Sequence, residues 1–363
     1  MGFWSKRRKL NLALQGGGAH GAFTWGVLDH LLCDEQIELS WISGTSAGAI
    51  NAIAVAHGLA SGGRQTARET LEAIWTAVEQ AGVPDLTDLN PFLSSLARVG
   101  AMANLNGVFS PYSFNPLGFD PLRKILDEHI DFDAIRANAS VNVMVAATDI
   151  ATGRARLFRG DDLTIDAALA SACLPTLHHA VTIDGRAYWD GGFSANPDLL
   201  SLASQSPVGD TMLVLLNPLS APDVPKTAAG IEDRVNTITF NQPLLRDIDT
   251  IVRAKEMQSG WFAPRRTPLA RLKAHRFHLI EAGRHTAELA LDSKVRPDRE
   301  VLRQLYHAGL IEAERWLSVY KQTIGRRATV SLRKHFIERP VDPVPHAALE
   351  ADAAGDAPLA KSA

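Results

Sequence analysis

The sequence predicts an α/β fold built on a mostly parallel central sheet with helices covering both of its faces. Three observations carry that prediction. Residues 10–57 alternate strand, helix, strand, helix, and parallel strands need crossover helices to bring the chain back. Each of these two strands ends in a glycine-containing turn immediately before a helix, at Gln15-Gly-Gly-Gly18 and at Ser43-Gly44-Thr45. Further apolar β runs, at 141–147 and 212–216, continue the sheet beyond that first unit.

Taken in order, Leu10 to Leu14 is short, apolar and bounded by glycine, as a buried strand is. Phe23, Val27, Leu28, Leu31 and Leu32 then recur at helical spacing, with Gly26 leaving room for another element to come close. Leu39 to Ile42 is the second strand, and Ala47 through Ala56 is a small-residue helix stopped by His57-Gly58. Ala67 to Gln80 is amphipathic and helical. Residues 84–119 mix Pro, Asn, Gly and Ser with apolar side chains and read as a cap or entrance loop. Its Phe92, Met102, Phe109 and Phe114 either line an acyl-chain pocket or pack the loop onto the body.

Val141 to Ala147 is a β run, and Ala155 to Phe158 pairs back across Thr152-Gly153. Ile165 to Leu174 is helical up to Pro175, and Val181 to Ile183 with Arg186 to Trp189 makes a hairpin around Asp184-Gly185. Met212 to Leu216 is a buried strand; helices at Ile231 to Met257 and Glu300 to Tyr320 flank a strand at Arg276 to Ile280. The plan is a basic tip at 1–8, one main domain over 9–338, and a tail at 339–363 whose Ala, Pro and Asp without periodicity read as disordered.

With 363 residues and 46% hydrophobic content the chain can bury a large core, although size alone leaves one or two domains open. A formal net charge of -3 supplies no basic field, so no nucleic-acid role is expected. Cys33 and Cys173 lie in apolar, helix-like surroundings without CxxC or Cys/His spacing and read as core residues in a reducing compartment. The basic start is not followed by the apolar run a secretory signal needs, and Lys6 stands where a myristoylation motif wants Ser or Thr. No stretch is long and apolar enough to span a bilayer. A cytoplasmic protein is expected. Phe3 and Trp4 beside Lys6, Arg7, Arg8 and Lys9 form either a contact for an anionic membrane surface or an ordinary solvated tip.

Three segments carry chemistry. Gly44-Thr45-Ser46-Ala47-Gly48 fits G-x-S-x-G between a strand and a helix, the context in which a serine sits on a sharp turn with its hydroxyl exposed. The flanking Gly44 and Gly48 remove the Cβ atoms that would clash there, and the helix N-terminus favours negative charge as it develops. Ser46 as a simple N-cap is the competing reading. Gly16-Gly17-Gly18-Ala19-His20-Gly21 lets backbone amides converge on one point, as an oxyanion hole requires. The hexamer also fits a dinucleotide-binding G-x-G-x-x-G. The carboxylate that should hold a ribose at the end of the second strand is, however, replaced by the Ser46 turn. Asp190, at the end of the predicted hairpin and followed by Gly191 and Gly192, is the candidate base, because serine is a poor nucleophile while protonated. Asp-Gly-Gly as an ordinary turn is its alternative.

With these segments in this order, the sequence resembles the patatin-like phospholipases, which carry a glycine-rich oxyanion segment, a G-x-S-x-G nucleophile and a later D-G-A/G triplet. Leu169-Ala-Ser-Ala-Cys-Leu-Pro175, Tyr188-Trp-Asp-Gly-Gly192 and Asn196-Pro197 also look like that family's approach to its aspartate, and the resemblance spans about 9–220. It implies a patatin-like three-layer α/β/α sandwich and a Ser46–Asp190 dyad. It also implies an oxyanion hole in the Gly16–Gly18 segment formed by the Gly17 and Gly18 amides, and acyl-ester or phospholipid substrates. His20 departs from the pattern, since many members place Arg or Lys there and histidine is largely neutral at pH 7. His20 is therefore either a supporting group of the site or a plain helix-start residue.

The expected chemistry is ester hydrolysis through an acyl-enzyme, requiring neither metal nor cofactor, with Asp190 desolvated enough to act as a base. Two rivals stay open. One is a Ser-Asp-His triad drawing on His275, His278, His285 or His307, and the other is a non-catalytic lipid-binding scaffold that retains the fold. No feature specifies an oligomeric state.

Overall fold

The computed structural model describes residues 7–81, 110–115, 118, 120–138, 140–221, 223–257, 267–286 and 298–338. The tail at 339–363, residues 1–6 of the basic tip, and most of the expected cap at 84–119 lie outside these described residues.

Strand β1 (Arg8–Leu14) leads through the glycine turn into α1 (Gly21–Cys33), β2 (Ile37–Thr45), α2 (Ala47–Ser61) and α3 (Arg64–Ala81). Two short helices, α4 (Pro121–His129) and α5 (Phe132–Ala137), precede β3 (Asn142–Asp149) and β4 (Ala155–Phe158). After α6 (Ile165–Ser171) comes the hairpin of β5 (Val181–Ile183) and β6 (Arg186–Asp190), then α7 (Leu199–Gln205) and β7 (Asp210–Leu215). The chain continues through α8 (Ala228–Glu256), α9 (Pro268–Ala274), β8 (Arg276–Glu281) and α10 (Arg299–Tyr320).

Among the described residues eight strands form one sheet, parallel across β3-β2-β1-β7-β8 and antiparallel where β4, β5 and β6 join. Side chains alternate across it as the two-residue period demands. Leu10, Leu12, Leu14, Val143, Val145, Met212 and Val214 enter a core shared with α1, α2, α3 and α10. Ala13, Met144, Leu213 and Leu215 face the other way, onto α7, α8 and α9. The result is helix, sheet and helix in three layers.

Strand β3 decides where the site forms. Its residue Ala146 pairs with Leu157 of β4 on one edge and Thr45 of β2 on the other, while Ala147 pairs with Arg156 of β4 and Asp190 of β6. Because β4 occupies one edge over both positions, β2 and β6 must share the opposite edge, end to end. The last residue of β2 and Asp190 thus sit on successive rungs of the same strand.

Gly26 does admit a close neighbour. A Cβ there would lie 2.0 Å from the Tyr306 carbonyl oxygen of α10, and one on Gly309 would lie 2.0 Å from that of Phe23. The two helices therefore cross with backbones in contact. Three expectations need correction. Cys33 is exposed, not a core residue, because it is the last residue of α1; Cys173 is buried. Helix α2 runs through His57-Gly58 to Ser61, since Gly58 serves as a contact point where a Cβ would lie 2.1 Å from the Ala67 Cα of α3. Helix α6 stops at Ser171, ahead of Leu174, and the chain turns there toward β5. The short helices α4, α5, α7 and α9 carry too few turns for periodicity to mark them.

Candidate active site

Ser46 links β2 to α2 with φ 53 and ψ -126, a left-handed conformation that costs a non-glycine residue about 1–3 kcal/mol and persists only when its surroundings impose it. Close packing imposes it here. A Cβ on Gly44 would lie 2.5 Å from the Gly48 carbonyl oxygen, and one on Gly48 would lie 2.2 Å from that of Leu14, so any side chain at either position would push strand and helix apart. The Ser46 amide donates to the buried Ser171 hydroxyl at 2.9 Å, and its carbonyl accepts the Ala49 and Ile50 amides, opening α2. Ser46 makes no N-cap bond with its side chain, which removes the bland alternative for its hydroxyl. The residue as a whole is 9% exposed, at the carboxyl end of β2.

Asp190 closes β6 and is fully buried. Its amide donates to the Cys173 carbonyl at 2.8 Å, and its own carbonyl accepts the Thr148 hydroxyl at 2.7 Å, so the backbone is held on both sides. Carboxylate Oδ1 accepts the Gly192 amide at 2.7 Å, while Oδ2 is buried with no partner of full hydrogen-bond geometry. Burial pushes the pKa of this carboxyl up to about 7; the Gly192 amide and the neighbouring Ser46 hydroxyl oppose the rise without cancelling it. Gly191 and Gly192 are there for space as well as for the turn. A Cβ on Gly191 would lie 2.2 Å from the Ala146 carbonyl oxygen, and one on Gly192 would lie 2.3 Å from the Phe240 ring.

The glycine segment lies alongside. A Cβ on Gly16 would lie 2.9 Å from Ser46 Cβ, and the Gly16 amide donates to Asn196 Oδ1 at 2.8 Å. Gly17 and Gly18 are partly exposed, Gly18 with φ 56, and among the described residues neither amide donates a hydrogen bond to another group. Among the described residues these two amides, in the same glycine segment as Gly16, have no acceptor and are open to a bound group. His20 is buried to 1% exposure at the start of α1, the helix-start position.

Sequence reasoning singled out Ser46, Asp190 and the Gly16–Gly18 segment, and the structure brings all of them to one end of the sheet. Nothing in the sequence assigns a role to Gln15, whose Oε1 accepts the Leu216 and Asn217 amides and whose Nε2 donates to Asn241, so that it ties β1 to the neighbouring loop. Nor does the sequence assign a role to Asn196, which holds Gly16 and donates to the Phe240 carbonyl. A buried amide beside each glycine turn was the available signal, but only the fold shows what it bonds. The four histidines are engaged elsewhere or exposed. His275 bonds Thr211, His278 bonds Asp210 and Thr329, His285 bonds Glu312, and His307 is exposed on α10. Among the described residues no cluster of His, Cys, Asp and Glu is arranged to hold a metal ion, and no helix is long and apolar enough to cross a membrane.

The profile of the family described as Patatin-like phospholipase matches residues 12–203. No curated protein matches the chain. Among solved structures, VipD from Legionella pneumophila is 14% identical, with 96% of this chain and 74% of that one covered and a TM-score of 0.43. The ExoU-SpcU complex from the type III secretion system of Pseudomonas aeruginosa gives 14% identity, 96% and 82% coverage and a TM-score of 0.27.

Proposed function

This chain belongs to the patatin-like phospholipase family, and from that premise we propose that it hydrolyses the acyl esters of lipids through a Ser46–Asp190 dyad. One observation carries the proposal: a strained serine stands beside a fully buried carboxyl whose pKa is pushed up to about 7. An ordinary carboxylate is too weak a base to take a serine proton near neutrality, whereas one titrating near 7 is matched to that task.

In this reading the Ser46 oxygen attacks the ester carbonyl carbon while its proton passes to the free Oδ2 of Asp190. Charge building on the carbonyl oxygen is received by the Gly17 and Gly18 amides, aided by the N-terminus of α2. The tetrahedral adduct then expels the alcohol, which takes the proton from Asp190, and leaves an acyl group on Ser46. Water repeats the sequence, giving its proton to Asp190 as it attacks the acyl carbon; the second adduct releases the fatty acid and expels the Ser46 oxygen, which takes that proton back from Asp190. Gly16, Gly44, Gly48, Gly191 and Gly192 act by letting backbone come close, and Asn196 acts by holding Gly16. His20, buried at the helix start, shapes that turn. We also retain 9–338 as one hydrolase domain.

The engagement of His275, His278 and His285 with other partners supports a dyad over a Ser-Asp-His triad. A fluorophosphonate probe should label the protein at Ser46, and Ser46→Ala should abolish both labelling and turnover of a short-chain ester. Turnover surviving in Ser46→Ala would refute the assignment, and a parent protein that neither labels nor hydrolyses would favour a non-catalytic scaffold. Profiling a lipid extract would then identify the head group and chain length.

A further inference from the structure

The stretch Leu169-Ala-Ser-Ala-Cys-Leu-Pro175 has so far no part in the chemistry, yet it touches both halves of the site. Ser171, the last residue of α6, is fully buried, and its hydroxyl accepts the Ser46 amide at 2.9 Å. Two residues later the Cys173 carbonyl accepts the Asp190 amide at 2.8 Å. The turn between them is itself pinned. The Ala172 amide donates to the Leu169 carbonyl at 3.1 Å, that of Cys173 to Ala170 at 3.4 Å, and the Cys173 thiol donates to the His179 carbonyl at 3.0 Å.

Resting on the reading of Ser46 and Asp190 as nucleophile and base, we infer that Ser171 is a positioning residue. Its hydroxyl holds the Ser46 backbone in the left-handed turn, and the rigid step from Ser171 to Cys173 sets the separation between Ser46 and Asp190. The chemistry favours a hydroxyl at this place. Ser46 begins a helix, where amides lack partners within the helix, and in a buried turn an alanine at 171 would leave the Ser46 amide without an acceptor. The same bond points the Ser46 amide into the protein, away from substrate, which leaves the oxyanion to Gly17 and Gly18.

The test compares Ser171→Ala, Ser171→Thr and Ser171→Cys with the parent in three measurements. These are kcat and KM on a short-chain p-nitrophenyl ester, the rate of fluorophosphonate labelling against pH, and thermal unfolding. A misplacement of the nucleophile by a fraction of an ångström should lower kcat and the labelling rate together, about 10- to 100-fold in Ser171→Ala, with KM changed less than about threefold. Because the Ser46 hydroxyl opposes the rise in the Asp190 pKa, its displacement should move the pH midpoint of labelling upward, a change that loss of packing alone would not produce. Among the described residues, the titratable side chain that interacts electrostatically with Asp190 is Cys173, whose thiol burial pushes up to about 12, so it stays neutral through that range. Ser171→Thr keeps the acceptor and should recover most of the rate, and Ser171→Cys, with a weaker acceptor, should fall between. If Ser171→Ala fails to fold, the graded loss in Ser171→Cys carries the test. Ser171→Ala within threefold of the parent, or all three variants equally impaired with an unmoved pH midpoint, overturns the inference while the dyad stands. Activity in Ser46→Ala overturns both.

Discussion

Replacing Asp190 with asparagine should stabilise the protein at alkaline pH while removing its activity. The carboxyl is fully buried, and burial displaces its pKa from the usual 3.8 to about 7. A raised folded-state pKa means that the unfolded chain releases this proton more readily than the folded one. The favourable contribution of the protonated group is therefore complete below pH 3.8 and is lost as pH rises through about 7. At about 1.4 kcal/mol per tenfold change in the proton equilibrium, the ionised group costs the fold roughly 4 kcal/mol above pH 8, of which roughly 2–3 kcal/mol develops between pH 5 and 8.5. Asparagine carries no such charge. Its amide oxygen can still accept from Gly192, and any fixed difference in hydrogen bonding is the same at every pH. Urea unfolding of parent and Asp190→Asn at pH 5 and at pH 8.5 should show the variant's advantage growing by that 2–3 kcal/mol. Unfolding free energies that stay parallel within about 0.5 kcal/mol would refute the argument that Asp190 is a desolvated carboxyl, and with it the argument that it is basic enough for its proposed part.

Three further predictions follow from the same geometry. If Asp190 must be ionised to act, kcat/KM for a neutral ester should rise through a midpoint near pH 7 and level off above it; a flat profile from pH 5 to 9 would remove Asp190 as the base. Asn196→Ala leaves the buried Gly16 amide without its acceptor, so it should cost about 1–3 kcal/mol in unfolding and slow ester turnover at least tenfold. Parent-like kinetics would show that the glycine segment keeps its place unaided. Gly309→Ala puts a methyl group 2.0 Å from the Phe23 carbonyl and should destabilise the α1–α10 pair by about 1–3 kcal/mol, visible as a lowered Tm in calorimetry. An unchanged Tm would mean the helices can part at no cost.

Much of this architecture could be read along the chain because its causes are local. The turn at Asp184-Gly185 appears in the structure with φ 52 and 74, the mirror-image turn that suits a two-residue hairpin, and the flanking strands fall where the apolar alternation put them. Gly26 could be suspected as a close-approach point, since a glycine inside a helix has a local cost that something must offset. The end of α2 was less legible. Gly58 looks like a stop signal from within the sequence, and only the arrival of Ala67 shows that its missing Cβ makes room for a neighbouring helix. Cys33 misled for a related reason, because the apolar pattern of α1 does not say which side of its last turn meets solvent.

By itself, the sequence determined the residue types that the proposed chemistry uses and the turns that carry them. A serine between glycines at the start of a helix, three successive glycines after a strand and an aspartate before two more are local patterns, written in contiguous residues. Only the tertiary structure decided that they meet, and which groups hold them there. Asp190 reaches Ser46 because β2 and β6 divide one edge of β3, and Ser171, Asn196 and Gln15 hold the site through bonds to residues distant in sequence. Strand pairing and burial are properties of the whole packed sheet. The same packing strips water from the Asp190 carboxyl, so the basicity of that group, too, belongs to the fold.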